Sequence, residues 1–237
     1  MRGDKCIFLN DDKKSIKWYS RNYFFAVTFA IVIINFIVFF TYGSPPGGVI
    51  YKKPEWNSFS ITNLLIAMSH CYMHLSSQHC ALNMLCFFVA GIYLERKTGS
   101  LRLLALVIVM TAFTAFATAA NYISLRAIGF SGVNYGIYGF IITDYLFMLF
   151  EREKRSMFNI ISGAIVLALI YFAMCFNGGT STVSFVPYPY DLTHNISHAS
   201  GFVVGLLVGL YEGIILLIEK LSRKKDEKGD PKTGMEQ

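Results

Sequence analysis

Long apolar runs alternate with short polar connections along most of the chain. The runs lie at Tyr23–Tyr42, Cys80–Leu94, Leu101–Asn121, Ser131–Phe150, Met157–Asn177 and Ile196–Ile218. A helix of about 20 apolar residues, rising about 1.5 Å per residue, crosses the roughly 30 Å of hydrocarbon in a bilayer. The pattern therefore predicts an all-α, polytopic membrane protein built as a bundle of six transmembrane helices.

The connection from residue 43 to about residue 78 differs from the others because it is long and apolar yet interrupted. Gly43-Ser-Pro-Pro-Gly-Gly ends the first run, and aromatic and aliphatic residues continue from Trp56 to Tyr72. The segment is too apolar to remain in water and too interrupted to form a spanning helix. We expect it to be a loop that is partly embedded in the membrane after the first helix.

Composition and charge agree with a membrane protein. Of the 237 residues, 54% are hydrophobic and only 15% are charged, whereas about a quarter of a soluble domain is charged. With six spans, every Lys and Arg except Lys52, Lys53 and Arg126 falls on one side of the membrane. Positive residues collect on the cytoplasmic side. The positions of these charges therefore predict two cytoplasmic termini, and for the same reason the net charge of +6 does not indicate a nucleic-acid partner. We expect the protein in the cell membrane, with membrane lipid as a partner.

The chain accordingly divides into three predicted regions. Residues 1–22 form a basic cytoplasmic segment, and residues 23–219 form the six-helix membrane domain. Residues 220–237 mix charged residues with Gly and Pro, a composition typical of disorder. We expect this tail to be cytoplasmic and disordered.

Polar side chains concentrate at the predicted outer ends of three helices. They are His74, His79 and Asn83 at helix 2, Ser131 beside Gly129 at helix 4, and His198 at helix 6. In the predicted topology these three helices all run from outside to inside, so their polar ends can share one cavity. Polar groups in the membrane are energetically expensive and indicate function. Serine, histidine and amide donors together are typical of a nucleophile, its base and an oxyanion hole.

Each of these residues also has a purely structural interpretation. Ser131 could cap helix 4, and His198 could be a hydrogen-bonded histidine of the core. Asn83 and His79 could link helices by hydrogen bonds, and His74 could fix the loop that precedes helix 2. Considered singly, none of these residues establishes a catalytic site.

Glycines recur on helices 4 and 6 at spacings that put them on one helical face. They are Gly132, Gly136 and Gly139 on helix 4, and Gly201, Gly205, Gly209 and Gly213 on helix 6. Small residues let helix backbones approach closely in lipid. This predicts direct packing of the two helices and makes a hydrogen bond between Ser131 and His198 feasible.

Four motifs, in this order, resemble those of the rhomboid family of intramembrane serine proteases. They are His74-x4-His79-x3-Asn83, the segment Leu94–Ser100, Gly129-x-Ser131-Gly132-Val133-x-Tyr135-x3-Gly139 and Asn195-x2-His198-x2-Gly201-x3-Gly205. The resemblance covers about residues 70–213. One departure is Leu65-Ile66, which stands where the family often has Trp-Arg in the first loop.

The resemblance implies a site and a reaction. Ser131 would be the nucleophile and His198 the general base of a dyad that has no third acid. Asn83, His79 and the Ser131 backbone amide would donate to the oxyanion, and Tyr135 would stack beneath His198. No cofactor or metal is implied. The remaining motif residues would support the site. They are His74, Gly129, Gly132, Asn195, Gly201 and Gly205. Substrates would be single-pass transmembrane proteins.

Three other functions remain open alternatives. A rhomboid-like protein without activity could bind membrane clients, although such a protein has no need of both Ser131 and His198. A metal-dependent protein is a second alternative, but no His-Glu-x-x-His motif is present. Its ligands would come from His70, Cys71, His74, His79, Cys80, His194 and His198. A transporter is disfavoured because the six helices show no evident internal repeat.

Overall fold

The computed structural model describes residues 25–43, 61, 65, 68–120, 128–150, 157–175 and 196–229. These residues form six α-helices: α1 Ala26–Tyr42, α2 Ser77–Thr98, α3 Ser100–Ala120, α4 Ser131–Phe150, α5 Met157–Cys175 and α6 Ile196–Gly229. A short 3₁₀ helix, His70–Tyr72, precedes α2. The described part contains no strand, so the predicted all-α fold is confirmed.

Four of the helices are long and apolar enough to cross a membrane. The spanning segments are Ser77–Thr98, Ser100–Thr118, Ser131–Phe150 and Ile196–Glu219. The apolar parts of α1 and α5 are shorter, at Ala26–Tyr42 and Met157–Phe172, and their predicted ends at Tyr23 and Asn177 lie outside the described residues. The chain is an integral membrane protein, and the count of six spans stays a prediction.

The helix α2 begins before its predicted start at Cys80 because a polar residue caps it. The Ser76 side chain accepts a hydrogen bond of 3.1 Å from the backbone N–H of His79. Such a cap satisfies one of the free amides in the first turn of a helix. Gly99, with φ of 90°, ends α2 beyond the predicted Leu94.

The helix α6 continues past the predicted end at Ile218 to Gly229. The segment Lys220–Gly229 is therefore helical, and the prediction of a disordered tail is wrong for this part. Lys, Arg and Glu favour helices, and a helix that already exists extends without a new nucleation step. Residues 230–237 lie outside the described part.

The helix α4 lies at the centre of the bundle. In α4, 67% of the membrane segment is buried, against 44% or less in the other three spanning segments. The face of α4 that carries Gly132 and Gly136 packs on α6 so closely that backbones touch. A Cβ atom on Gly201 would collide with the carbonyl oxygen of Gly132, and one on Gly205 with that of Gly136. The predicted close packing of these helices is confirmed.

The start of α1 is fixed to the end of α2 by one carboxylate. Glu95 accepts hydrogen bonds from the backbone N–H groups of Val27 at 3.0 Å and Thr28 at 2.9 Å. It also accepts from the Thr28 hydroxyl at 2.6 Å. The first amides of a helix have no partner within the helix and favour a negative charge. Glu95 therefore caps a neighbouring helix, and α1 runs antiparallel to α2.

The end of the loop before α2 is packed inside the protein. His70, Cys71 and His74 are all buried, and the carbonyl of His70 accepts a hydrogen bond of 3.0 Å from the N–H of Gly129. Most of residues 44–67, where the partly embedded loop is predicted, lie outside the described part. The buried end ties this loop to the turn that precedes α4.

Candidate active site

The first residue of α4 and the start of α6 meet through a hydrogen bond between side chains. Ser131 Oγ lies 2.7 Å from His198 Nε2. The two residues are far apart in sequence, and the glycine contacts between α4 and α6 bring their backbones close enough for this bond. When His198 carries its proton on Nδ1, Nε2 accepts the hydroxyl hydrogen. This is the geometry of a hydroxyl beside its base.

Tyr135 lies one turn below Ser131 and packs against the histidine. Its ring is stacked on that of His198, with centroids 4.4 Å apart and an angle of 11° between the planes. Residues at i and i+4 share one face of a helix. The same face of α4 therefore supplies both the hydroxyl and the surface on which the imidazole rests.

Gly129 forms the turn that leads into α4, and its shape depends on having no side chain. Its φ is 109°, a conformation that glycine adopts without steric penalty. A Cβ atom here would lie 2.7 Å from His79 Cε1 and 3.3 Å from Asn83 Nδ2. The absence of a side chain thus lets α2 bring His79 and Asn83 against the turn that precedes Ser131.

His74 supports this turn from the loop side. The backbone N–H of Phe130 lies 3.5 Å from His74 Nε2, the long limit of a hydrogen bond. The His74 ring packs edge-on against that of His79, with centroids 5.3 Å apart. Burial, and then the neighbouring His79, lowers the pKa of His74 to about 4. His74 is therefore neutral at pH 7 and can accept the Phe130 hydrogen.

Asn83 and His79 present polar atoms that the described residues leave without partners. Asn83 Nδ2 and His79 Nδ1 are buried, and neither finds a hydrogen-bond partner within the described part of the chain. An unpaired buried polar group costs about 1–3 kcal/mol. Groups of this kind beside the Ser131 turn are available to bind an oxygen of a ligand.

Asn134 is a polar residue of the site that the sequence analysis did not identify. Its Nδ2 donates to the backbone carbonyl of Asn83 at 3.0 Å and lies 3.5 Å from Asn83 Oδ1. A single Asn three residues after Ser131 in an apolar helix is the sequence signal that could have identified it.

The other predicted site residues have positions of two kinds. Gly132, Gly201 and Gly205 form the contact between α4 and α6. Asn195 lies outside the described residues, as does His194 of the metal alternative. Within those residues, no group of three or more His, Cys, Asp or Glu side chains is arranged to hold a metal ion.

Comparison with known proteins relates the chain to a family and to a relative. A sequence model described as the Rhomboid domain matches residues 62–214, a region that contains every described site residue. The rhomboid protease GlpG of Haemophilus influenzae is 34% identical over 112 residues, which are 46% of this chain and 53% of that protein. The chain therefore spans about half the length of this relative.

Proposed function

This chain belongs to the rhomboid family, and we propose that it is an intramembrane serine endopeptidase. The observation that carries the proposal is the distance of 2.7 Å between Ser131 Oγ and His198 Nε2. Serine needs an adjacent base to become a nucleophile at neutral pH. A hydroxyl and an imidazole inside the membrane cost free energy, so their presence indicates that they are paired with other groups or serve a function.

In the proposed reaction Ser131 Oγ attacks the scissile carbonyl while His198 Nε2 takes its proton. The imidazolium of His198 then donates that proton to the leaving nitrogen, and water releases the acyl group by the reverse sequence. Tyr135 holds the imidazole ring in position by stacking.

The oxygen of the tetrahedral intermediate carries a negative charge and needs hydrogen-bond donors. We assign this role to the side chains of Asn83 and His79 and to the backbone N–H of Ser131. The unpaired Nδ2 of Asn83 supports the assignment, as does its position against Gly129. The N–H groups at the start of α4 add a positive potential because they have no partners within the helix.

The proposed substrates are single-pass transmembrane proteins. The starts of α2, α4 and α6 meet at the site, so the reacting groups lie near one face of the membrane and not at its centre. By the distribution of Lys and Arg, that face is the outer one and both termini are cytoplasmic. The cell membrane is part of the proposal and does not follow from these charges. A substrate helix would have to unwind near that face.

The test is labelling with a serine-directed fluorophosphonate together with cleavage of a transmembrane reporter, using purified protein in detergent. The wild type should label on Ser131 and cleave. Ser131→Ala and His198→Ala should each lose nearly all cleavage, because removing one member of a unit that acts together removes most of its effect. The matched control is Ser200→Ala, which removes the α6 hydroxyl that is bonded to the Ser197 carbonyl and should retain activity.

Two results would contradict the proposal. Undiminished cleavage by Ser131→Ala would exclude Ser131 as the nucleophile. A wild-type protein that binds the reporter without labelling or cleaving it would favour the alternative, a rhomboid-like protein that only binds membrane clients.

A further inference from the structure

We infer that Asn134 orients the side-chain amide of Asn83, so that Asn83 presents its NH₂ group and not its oxygen to the reacting carbonyl. The inference rests on the proposed function, in which Asn83 is an oxyanion donor. It assigns a positioning role to a residue that does not itself contact the substrate.

The hydrogen-bond chemistry fixes the orientation of Asn134 first. One end of its side-chain amide lies 3.0 Å from the backbone carbonyl oxygen of Asn83. A carbonyl oxygen only accepts hydrogen bonds. The Asn134 atom at that distance must therefore be the NH₂ nitrogen, because an oxygen there would face another oxygen.

The orientation of Asn83 follows from that of Asn134. The same Asn134 nitrogen lies 3.5 Å from one end of the Asn83 side-chain amide. If that end were the Asn83 NH₂ group, two sets of donors would face each other inside the protein. With Oδ1 at that end, Nδ2 lies on the opposite side of the amide, against Gly129. Asn134 thus selects between two orientations of almost identical shape.

The selection matters because the two orientations have opposite effects on the reaction. Nδ2 stabilises the negative oxygen of the tetrahedral intermediate, whereas Oδ1 in the same position would repel it. The effect acts on the transition state more than on the bound substrate, since the negative charge develops only there. Loss of Asn134 should therefore lower kcat and leave KM nearly unchanged.

A purely structural role explains the contacts of Asn134 less well. The residue is buried, and its Oδ1 finds no donor among the described residues. A valine of similar volume would remove this unpaired oxygen. The Asn83 carbonyl lies inside α2 and would keep its helical hydrogen bond. We therefore expect Asn134→Val to fold.

The experiment is a double-mutant cycle on the full-length protein, with kcat and KM measured on a transmembrane reporter. Asn134→Val should lower kcat about 3- to 10-fold, a range typical of coupling between residues in contact. In an Asn83→Ala background the same change should alter kcat less than twofold, because no amide remains to be oriented. When ionised, Asn134→Asp offers only acceptors to the Asn83 amide, which favours the orientation in which Asn83 presents its oxygen to the reacting carbonyl. Asn134→Asp should therefore lower kcat more than Asn134→Val.

The thermal midpoint of every variant is measured as well, so that a loss of folded protein is not counted as a loss of kcat. An equal fall of kcat in both backgrounds, or a rise of KM at constant kcat, overturns the inference. The failure of the proposed function gives a different result. Cleavage by Ser131→Ala overturns the proposed function and this inference together. If the enzyme requires Ser131 but Asn134→Val lowers kcat by the same factor in both backgrounds, the inference alone is overturned.

Discussion

The ring of Tyr135 lies parallel to the imidazole of His198, with the centroids 4.4 Å apart. An aromatic pair contributes about 0.5–1.5 kcal/mol beyond the area it buries. Here the contact restricts the rotation of the ring that, in the proposed reaction, receives the Ser131 proton.

We predict that Tyr135→Leu lowers kcat/KM about 2- to 10-fold, because the stacking of about 0.5–1.5 kcal/mol is lost. Tyr135→Phe is the matched control, since it keeps the stacked ring and removes only the hydroxyl. The measurement is cleavage of the reporter by equal amounts of folded protein. Equal losses in both variants would mean that the hydroxyl, and not the stacking, is what His198 needs.

The amide of Asn83 gives a second prediction. Asn83→Ala should lose about 10²–10³ in turnover, the usual effect of removing one oxyanion donor, and should still react with the phosphonate. Asn83→Asp has almost the same shape but should be worse than Asn83→Ala, because it adds a negative charge beside the developing oxyanion. Wild-type cleavage by Asn83→Asp at neutral pH would show that Asn83 only links helices.

Much of the fold could be predicted because both the apolar run in the sequence and the helix that it forms must match the thickness of the membrane's hydrocarbon layer. Ser131–Phe150 was predicted with both its bounds. The errors arose where a helix extends beyond its apolar run into polar residues. Ser76 caps α2 although hydropathy assigns it to a loop, and the charged residues after Ile218 end the apolar run without ending α6.

The candidate site could be predicted only in part, for a similar reason. Ser131 and His198 were identified because their motifs are specific and the neighbouring glycines indicate close packing. The sequence could mark Asn134 as a polar residue near Ser131 but could not give its partner, a backbone carbonyl 51 positions away. The sequence likewise did not reveal that Glu95 accepts hydrogen bonds from the first amides of α1. Such pairings depend on how helices are arranged in space, which local sequence does not reveal.

The turn at Gly129 gives a third prediction. Gly129→Ala should abolish cleavage, because its Cβ would lie 2.7 Å from His79 Cε1 and would force the α2 side chains away from Ser131. Gly99→Ala is the matched control: Gly99 also has a positive φ, of 90°, but no atom lies within 4 Å of its added Cβ. Both variants place an alanine at a positive φ, which costs about 1–3 kcal/mol of backbone strain.

Thermal midpoints and cleavage rates together separate strain from collision at this turn. The two glycine variants should lose similar stability from strain alone, while only Gly129→Ala should lose activity in its folded fraction. Full activity of folded Gly129→Ala would mean that His79 and Asn83 need not lie against the turn.

The carboxylate of Glu95 gives the last prediction, which concerns stability. Glu95→Gln replaces one oxygen by an NH₂ group that faces the donors of Val27, Thr28 or Ser100. Hydrogen bonds to charged groups contribute about 1.5–3 kcal/mol each, so the thermal midpoint should fall measurably. Asp144→Asn makes the same change in a partly exposed pair with Lys97 and should have little effect.

Glu95 follows His79 by 16 positions in α2, about 24 Å along the helix axis. Folded Glu95→Gln should therefore cleave at the wild-type rate, and a loss of kcat without a lower midpoint would show that the α1–α2 contact acts on the site.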